Sequence, residues 1–253
     1  MESDHTIVQL LESCVDPLPK PAVYLSGGLD SSILLFHLRR KMPTEEIHTF
    51  TFGFPEGFGN VSEFEKARKV AVYFKTIHYE VLIEKLLDRY PHILRIFDKP
   101  QFNIWTYWLA EAAFKLDRQT CYVAEGLDEH FGGYAGRKGS YCELWSNHFQ
   151  FCKPSYQTVH DHFGLRLEMP FSDPPLGFRK TLPFWDPSGH KAFLKTAYKS
   201  LLPDFIIEQP KNAGKPSFLW IWENELKRKM PMSADELKEK LQKFVALSWG
   251  AVH

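Results

Sequence analysis

Cysteine is scarce in this chain. Only Cys14, Cys121, Cys142 and Cys152 occur in 253 residues, and no two of them form a CxxC pair. That spacing argues against a zinc ribbon, an iron-sulfur cluster or a redox dithiol. An excess of charge of one sign is also missing, with 31 Lys+Arg against 31 Asp+Glu. Proteins that hold nucleic acid usually carry a basic surplus that releases counterions, so no stable nucleic-acid complex is expected. No apolar run approaches the ~18 residues of a membrane span. The opening MESDHTIVQ lacks the basic-then-apolar pattern of a secretion signal. No internal repeat, low-complexity tract or clear linker stands out. The expectation is a cytoplasmic protein without membrane association, folded as a single unit over residues 1–253 and suited to small-molecule chemistry.

Aromatic residues are plentiful, at 15% of the chain, and supply large apolar bodies for cores and clefts. Residues 5–14 have helical apolar spacing, and Pro17, Pro19 and Pro21 end that helix. Short apolar runs then alternate with helical patterns. Strands are predicted at 22–25, 47–52, 77–82 and 120–125, with helices at 31–41, 62–74, 84–97 and 104–116. Such alternation predicts an α/β fold, a mostly parallel sheet with helices on both faces. Beyond Tyr134 the pattern weakens, and glycines and prolines mark loops. Helical spacing returns at 188–202, 217–230 and 233–247. We therefore expect a nucleotide-binding core over about 20–135 and a loop-rich, helical part over about 136–253.

Ser26-Gly27-Gly28-Leu29-Asp30-Ser31-Ser32 lies between a predicted strand and helix. Its glycines permit a tight turn and close ligand approach, the helix N-terminus offers N–H groups, and the serines add hydroxyls. The combination is an anion cradle, although it is neither a Walker A loop nor GxGxxG. An Asp inside a phosphate cradle would repel its ligand unless a metal lay between, so Asp30 points to Mg²⁺. A plain strand-to-helix turn is the competing reading.

SGGLDSS resembles the pyrophosphate loop of the N-type ATP pyrophosphatases. Its Leu-Asp-Ser-Ser spelling resembles the synthetase domain of asparagine synthetases and the related β-lactam synthetases. Ala124-Glu125-Gly126-Leu127-Asp128-Glu129-His130-Phe131-Gly132-Gly133-Tyr134 stands where that family carries Gly-Glu-Gly-x-Asp-Glu-Leu-Phe-Gly-Gly-Tyr. Weaker echoes are Ser62-Glu63, Asp98-Lys99-Pro100, Met169-Pro170-Phe171-Ser172-Asp173 and Pro210-Lys211-Asn212-Ala213, in the family's order. The resemblance implies an adenine nucleotide alpha hydrolase-like fold. It also implies a reaction in which a carboxylate attacks the α-phosphate of ATP, pyrophosphate leaves, and an amine displaces AMP. By the same resemblance, Ser26, Gly27, Gly28, Ser31, Ser32 and Gly126 would hold ATP and its pyrophosphate, and Asp30 and Asp128 would bind Mg²⁺. Glu125 would take a proton from the attacking nitrogen, and Lys211 would stabilise charge in both half-reactions. A solvated loop for Glu125 and Asp128, and a surface lysine for Lys211, are the plainer alternatives.

Departures bear on the substrate. Glutamine-dependent members begin with a nucleophilic Cys after the initiator Met, whereas position 2 here is Glu2. The expectation is a chain without a glutaminase domain, its nitrogen arriving as free ammonia, as the substrate's own amine, or from a separate glutaminase subunit. A homo-oligomer is left open. Ala124 replaces a family Gly, Arg166-Leu167-Glu168 reverses a family Glu-Ala-Arg, and Gln209 replaces an Arg. These changes are expected near the acyl acceptor, so aspartate is the default substrate only. Other readings are a β-lactam-type or peptide cyclase, a tRNA-modifying ATP pyrophosphatase, and a non-catalytic nucleotide-binding subunit. The His160-Asp161-His162 run is expected in a loop, and Trp105 to Trp108 in helix packing.

Overall fold

A computed structural model describes residues 2–54, 64–97, 105–133, 152–172, 182–186 and 188–209. Lys211, the 217–230 and 233–247 helical patterns, Ser62-Glu63, Asp98 to Pro100 and Asp173 lie outside the described residues.

Helix α1 (Glu2–Cys14) leads into β1 (Pro21–Tyr24), α2 (Leu29–Lys41), β2 (His48–Gly53), α3 (Phe64–Tyr73) and β3 (Ile77–Leu82). Then come α4 (Leu86–Leu94), α5 (Thr106–Lys115), β4 (Thr120–Tyr122), α6 (Leu127–Phe131), α7 (Lys153–Phe163) and β5 (Arg166–Glu168). Helices α8 (Ala192–Tyr198) and α9 (Asp204–Ile207) close the described chain. The five strands are parallel in the order β3-β2-β1-β4-β5. No helix among the described residues is long and apolar enough to cross a membrane.

Alternation along the central strands divides the interior into two cores. Ala22 and Tyr24 face a cluster built with Tyr90, Ile93, Trp108, Ala110 and Val159 from α4, α5 and α7. Val23 and Leu25 face the opposite cluster, with Ile7, Leu11, Leu34, Leu35, Val70 and Tyr198 from α1, α2, α3 and α8. The expected two-faced parallel sheet is therefore the fold observed.

One expectation is corrected. The His160-Asp161-His162 run is helical, within α7, and not in a loop. Its polar sequence conceals a buried side formed by Ser155, Tyr156, Val159 and His160. Arg166 and Glu168 bond to each other at 2.6 Å on the edge strand β5.

Two buried histidines tie layers together. His37 Nε2 and Tyr198 Oη share a hydrogen bond of 2.6 Å between α2 and α8. His160 Nδ1 lies 2.7 Å from the carbonyl of Tyr156. A carbonyl only accepts, so Nδ1 carries the proton and Nε2 accepts from Tyr24 Oη at 2.8 Å. Burial pushes the His37 imidazole down from 6.5 to about 3, helped by Arg40 and Lys41, and pushes that of His160 down to about 4. Both rings are thus neutral when folded and take up a proton on unfolding in acid. Stability falls from about pH 6.5 downward, by about 1.4 kcal/mol per pH unit for each ring until its native pKa is reached. Thermal unfolding followed by circular dichroism checks this: the double variant His37→Gln, His160→Gln starts less stable at pH 7 but declines less steeply between pH 6.5 and pH 4.5. A slope as steep as the wild type's would locate the acid sensitivity elsewhere.

Candidate active site

Because the chain adds β2 and β3 on one side of β1 and then returns to add β4 on the other, the β1 and β4 loops leave the sheet in opposite directions of winding. A crevice at the carboxyl ends of the strands results, the usual ligand position in open α/β sheets. The polar lining of this crevice includes Ser26, Asp30, Ser31, Glu125 and Asp128. Two segments about 100 residues apart in sequence are thereby brought to one place.

The β1 loop is held in shape by its own residues. Gly27 has φ +74°, and a Cβ there would lie 2.6 Å from the backbone nitrogen of Ala67 in α3. Only glycine fits this approach without strain. Gly28 caps α2, and its carbonyl accepts from Ser31 Oγ at 3.2 Å and from Ser32 Oγ at 2.8 Å. Ser26 Oγ accepts from the Gly28 N–H at 3.3 Å and lies 3.2 Å from Ser31 Oγ. Ser26 and Ser31 thus reach the cleft, whereas Gly27, Gly28 and the buried Ser32 form the turn behind it.

The β4 loop is shaped from outside. Gly126 has φ +109°, and a Cβ there would strike the carbonyl of Phe171 at 2.2 Å. Ser172 Oγ donates to the Glu125 carbonyl at 2.9 Å. The Met169–Ser172 stretch is therefore the support for Glu125. Tyr156 Oη, from α7, donates to Glu125 Oε1 at 2.8 Å and fixes one oxygen of that carboxylate. His160 in turn anchors Tyr24 to the same helix.

Sequence reasoning missed Lys191. Its side chain is buried, 7% exposed, and its Nζ lies 2.5 Å from Asp30 Oδ1 and 2.5 Å from Asp128 Oδ1. Burial alone would lower the ammonium's pKa, but the carboxylates of Asp30 and Asp128 outweigh it and hold it well above the ordinary 10.5. The lysine is charged throughout the physiological range. Nothing local marks it, since it precedes α8 in a stretch with only a helical pattern. Tyr156 was missed because its helix, Lys153–Phe163, was not expected from the sequence.

An aromatic wall faces the polar groups. Phe50, Phe52 and Trp105 line it, and Trp105 stacks on Phe52 at 4.9 Å and meets Tyr156 edge-on at 5.5 Å. Trp105 thus stands at the cleft, while Tyr107 and Trp108 pack in the core as expected. Among the described residues no group of three or more His, Cys, Asp or Glu could hold a metal ion. The Asp30/Asp128 pair remains as a two-carboxylate site.

The chain is 33% identical over 126 residues to a protein of Methanocaldococcus jannaschii assigned as a glutamine-hydrolyzing asparagine synthetase. The aligned part covers 47% of this chain and 23% of that protein, so the chain spans about a quarter of its relative's length. Among solved structures, an NMN synthetase from Francisella tularensis is similar at 14% identity and TM-score 0.44, covering 100% of this chain and 93% of that one. The U34-tRNA thiolase NcsA of Methanococcus maripaludis is similar at 11% and TM-score 0.46, covering 97% and 80%. Values that low transfer no chemistry. The family model for asparagine synthase, by contrast, matches residues 9–170, a span holding the whole sheet and both cleft-forming loops, and the chain belongs to the asparagine synthase family.

Proposed function

We propose that this chain is an ATP-dependent amide synthetase that forms AMP and pyrophosphate, adenylating a carboxylate and passing ammonia to it, with aspartate as the default acyl substrate. The observation that carries this reading is the convergence of the Ser26–Ser31 turn, the Asp30/Asp128 pair and Glu125 on one crevice. The aromatic wall of Phe50, Phe52 and Trp105 suits a purine base. Ser26 and Ser31, at the N-terminus of α2, suit the leaving pyrophosphate. Asp30 and Asp128 fit Mg²⁺, since both carboxylates already close on one cationic atom, and a hard cation would complete its shell with phosphate and water oxygens. When bound, the ion would neutralise charge on the phosphates and act as a Lewis acid.

The chemistry has two displacements. A carboxylate oxygen attacks the α-phosphorus, the bond to the β-phosphate oxygen breaks, and pyrophosphate departs. An ammonia nitrogen then attacks the acyl carbon, the bond to AMP breaks, and one proton is lost. Glu125 would receive that proton, and the hydrogen bond from Tyr156 would hold its orientation. Lys211, outside the described residues, is proposed to steady negative charge in both steps.

The test supplies ATP and Mg²⁺ with aspartate and other carboxylates and follows ATP–pyrophosphate exchange, then adds ammonium and measures amide. We expect AMP and pyrophosphate as products; ADP and phosphate as sole products would overturn the reading. Asp30→Asn and Asp128→Asn should each remove nearly all turnover, and an unchanged Mg²⁺-dependent rate would reject the ligand role.

A second measurement separates the half-reactions. Glu125→Gln should keep more exchange than amide synthesis, and Tyr156→Phe should lower the amide step by roughly 10-fold or more, the worth of a hydrogen bond to a charged group, with little change in KM for ATP. Lys211→Ala should lose both. Equal loss of exchange and amide synthesis in Glu125→Gln would reject Glu125 as the nitrogen-side base.

A further inference from the structure

The carboxylates of Asp30 and Asp128 are not vacant. One ammonium, Lys191 Nζ, lies 2.5 Å from Asp30 Oδ1, 2.6 Å from Asp30 Oδ2 and 2.5 Å from Asp128 Oδ1. The local chain is built to hold it there. Lys191 has φ +52° at the head of α8. The turn before it is pinned by Asp186, whose Oδ1 accepts from the Ser188 N–H at 2.9 Å and whose Oδ2 accepts from the Ala192 N–H at 3.0 Å. The Asp186 N–H donates to the Phe131 carbonyl at 3.2 Å, tying this turn to α6, the helix that carries Asp128. The ammonium is thus delivered by a second, independently anchored segment.

A divalent cation would need oxygens of the same two carboxylates at ~2.0–2.1 Å, as Mg²⁺ requires. Ammonium and metal cannot share that position. A tethered ammonium competes at high effective concentration, while a free ion competes only at its bulk concentration. A metal arriving with a polyphosphate is different, because the polyanion offsets the positive charge that the two cations together bring to the pocket.

Resting on the proposed ATP-binding role of this cleft, we propose that Lys191 is a built-in counter-cation that keeps the Asp30/Asp128 pair closed to free divalent metal and yields it only to metal accompanied by a polyphosphate. The pocket is then selective for a metal–polyphosphate pair over the bare ion. Its resting state carries no repulsion between unpaired carboxylates, so the two loops stay together without nucleotide.

Mn²⁺ binding followed by electron paramagnetic resonance reads this directly, without turnover. In the absence of nucleotide, Lys191→Met should bind one Mn²⁺ at least about tenfold more tightly than the wild type, and Lys191→Arg, which keeps the charge, should stay near the wild type. Adding Asp30→Asn to Lys191→Met should abolish the gained site. Equal Mn²⁺ affinity in the wild type and Lys191→Met overturns the proposal. Thermal unfolding of the wild type gives a reading that needs no variant. Millimolar Mg²⁺ alone should leave the midpoint unchanged, and Mg²⁺ with pyrophosphate should raise it. A rise with Mg²⁺ alone, or no rise with both, overturns the proposal. Absence of ATP–pyrophosphate exchange would instead remove the synthetase reading and leave the Mn²⁺ comparison intact.

Discussion

The pairing of Pro21–Val23 with Thr120–Tyr122 is the constraint on which the rest of this structure depends. It joins two segments about 100 residues apart, so its loop-closure cost must be met by burial on both sides. Ala22 and Cys121 face one core, and Val23 and Tyr122 face the other, each nearly inaccessible to solvent. Tyr122 adds a polar clasp, accepting from the Leu18 N–H at 2.9 Å and donating to the Asp16 carbonyl at 2.7 Å. A slip of one residue in this pairing would turn every one of these side chains to the wrong face. It would also separate the Ser26 turn from Glu125. Stability and site geometry therefore depend on the same contact.

Around that pairing the two loops are fixed by different means. The β1 turn is held largely by its own residues, its hydroxyls folded back on the Gly28 carbonyl, while Gly27 packs against Ala67 and Asp30 pairs with Lys191. The β4 turn depends on segments that come later in the chain, through Phe171 and Ser172 at its backbone and Tyr156 at the Glu125 side chain. On the proposed reading, a cradle for a common nucleotide can be rigid and local, whereas a carboxylate that must meet a particular acyl group and nitrogen is held by parts of the fold that can vary independently of the cradle.

This difference explains what the sequence made visible. The central strands were legible because burial on both faces imprints apolar runs such as the one over 22–25, and the strand at Ile77–Leu82 lies at its expected bounds although none of its residues is fully buried. β5, three residues long with two of them charged, carries no such imprint. Helix α7 was hidden because His160 is buried as a neutral ring, satisfied by Tyr24 and a backbone carbonyl. Composition registers it as polar, whereas the fold uses it as core. In the site, Ser26–Ser32 and Glu125–Asp128 were readable as contiguous motifs whose chemistry lies in neighbouring residues. Tyr156 reaches Glu125 from 31 residues away, and Lys191 reaches Asp30 from 161, so neither contact has a local pattern.

Lys191 also lies beyond residues 9–170, the span matched by the asparagine synthase family model, yet it is among the most deeply buried charges described. Burying an ammonium is costly unless its partners are close, and two carboxylates in contact provide that. The reverse also holds. Asp30 and Asp128, drawn together by the β1–β4 pairing, would repel each other without a cation between them, so a fold that brings them together requires a counter-charge. Lys191 meets that requirement from within the chain. The segment from Asp186 to Ala192 is thus part of the site's electrostatics, even though no sequence motif places it there.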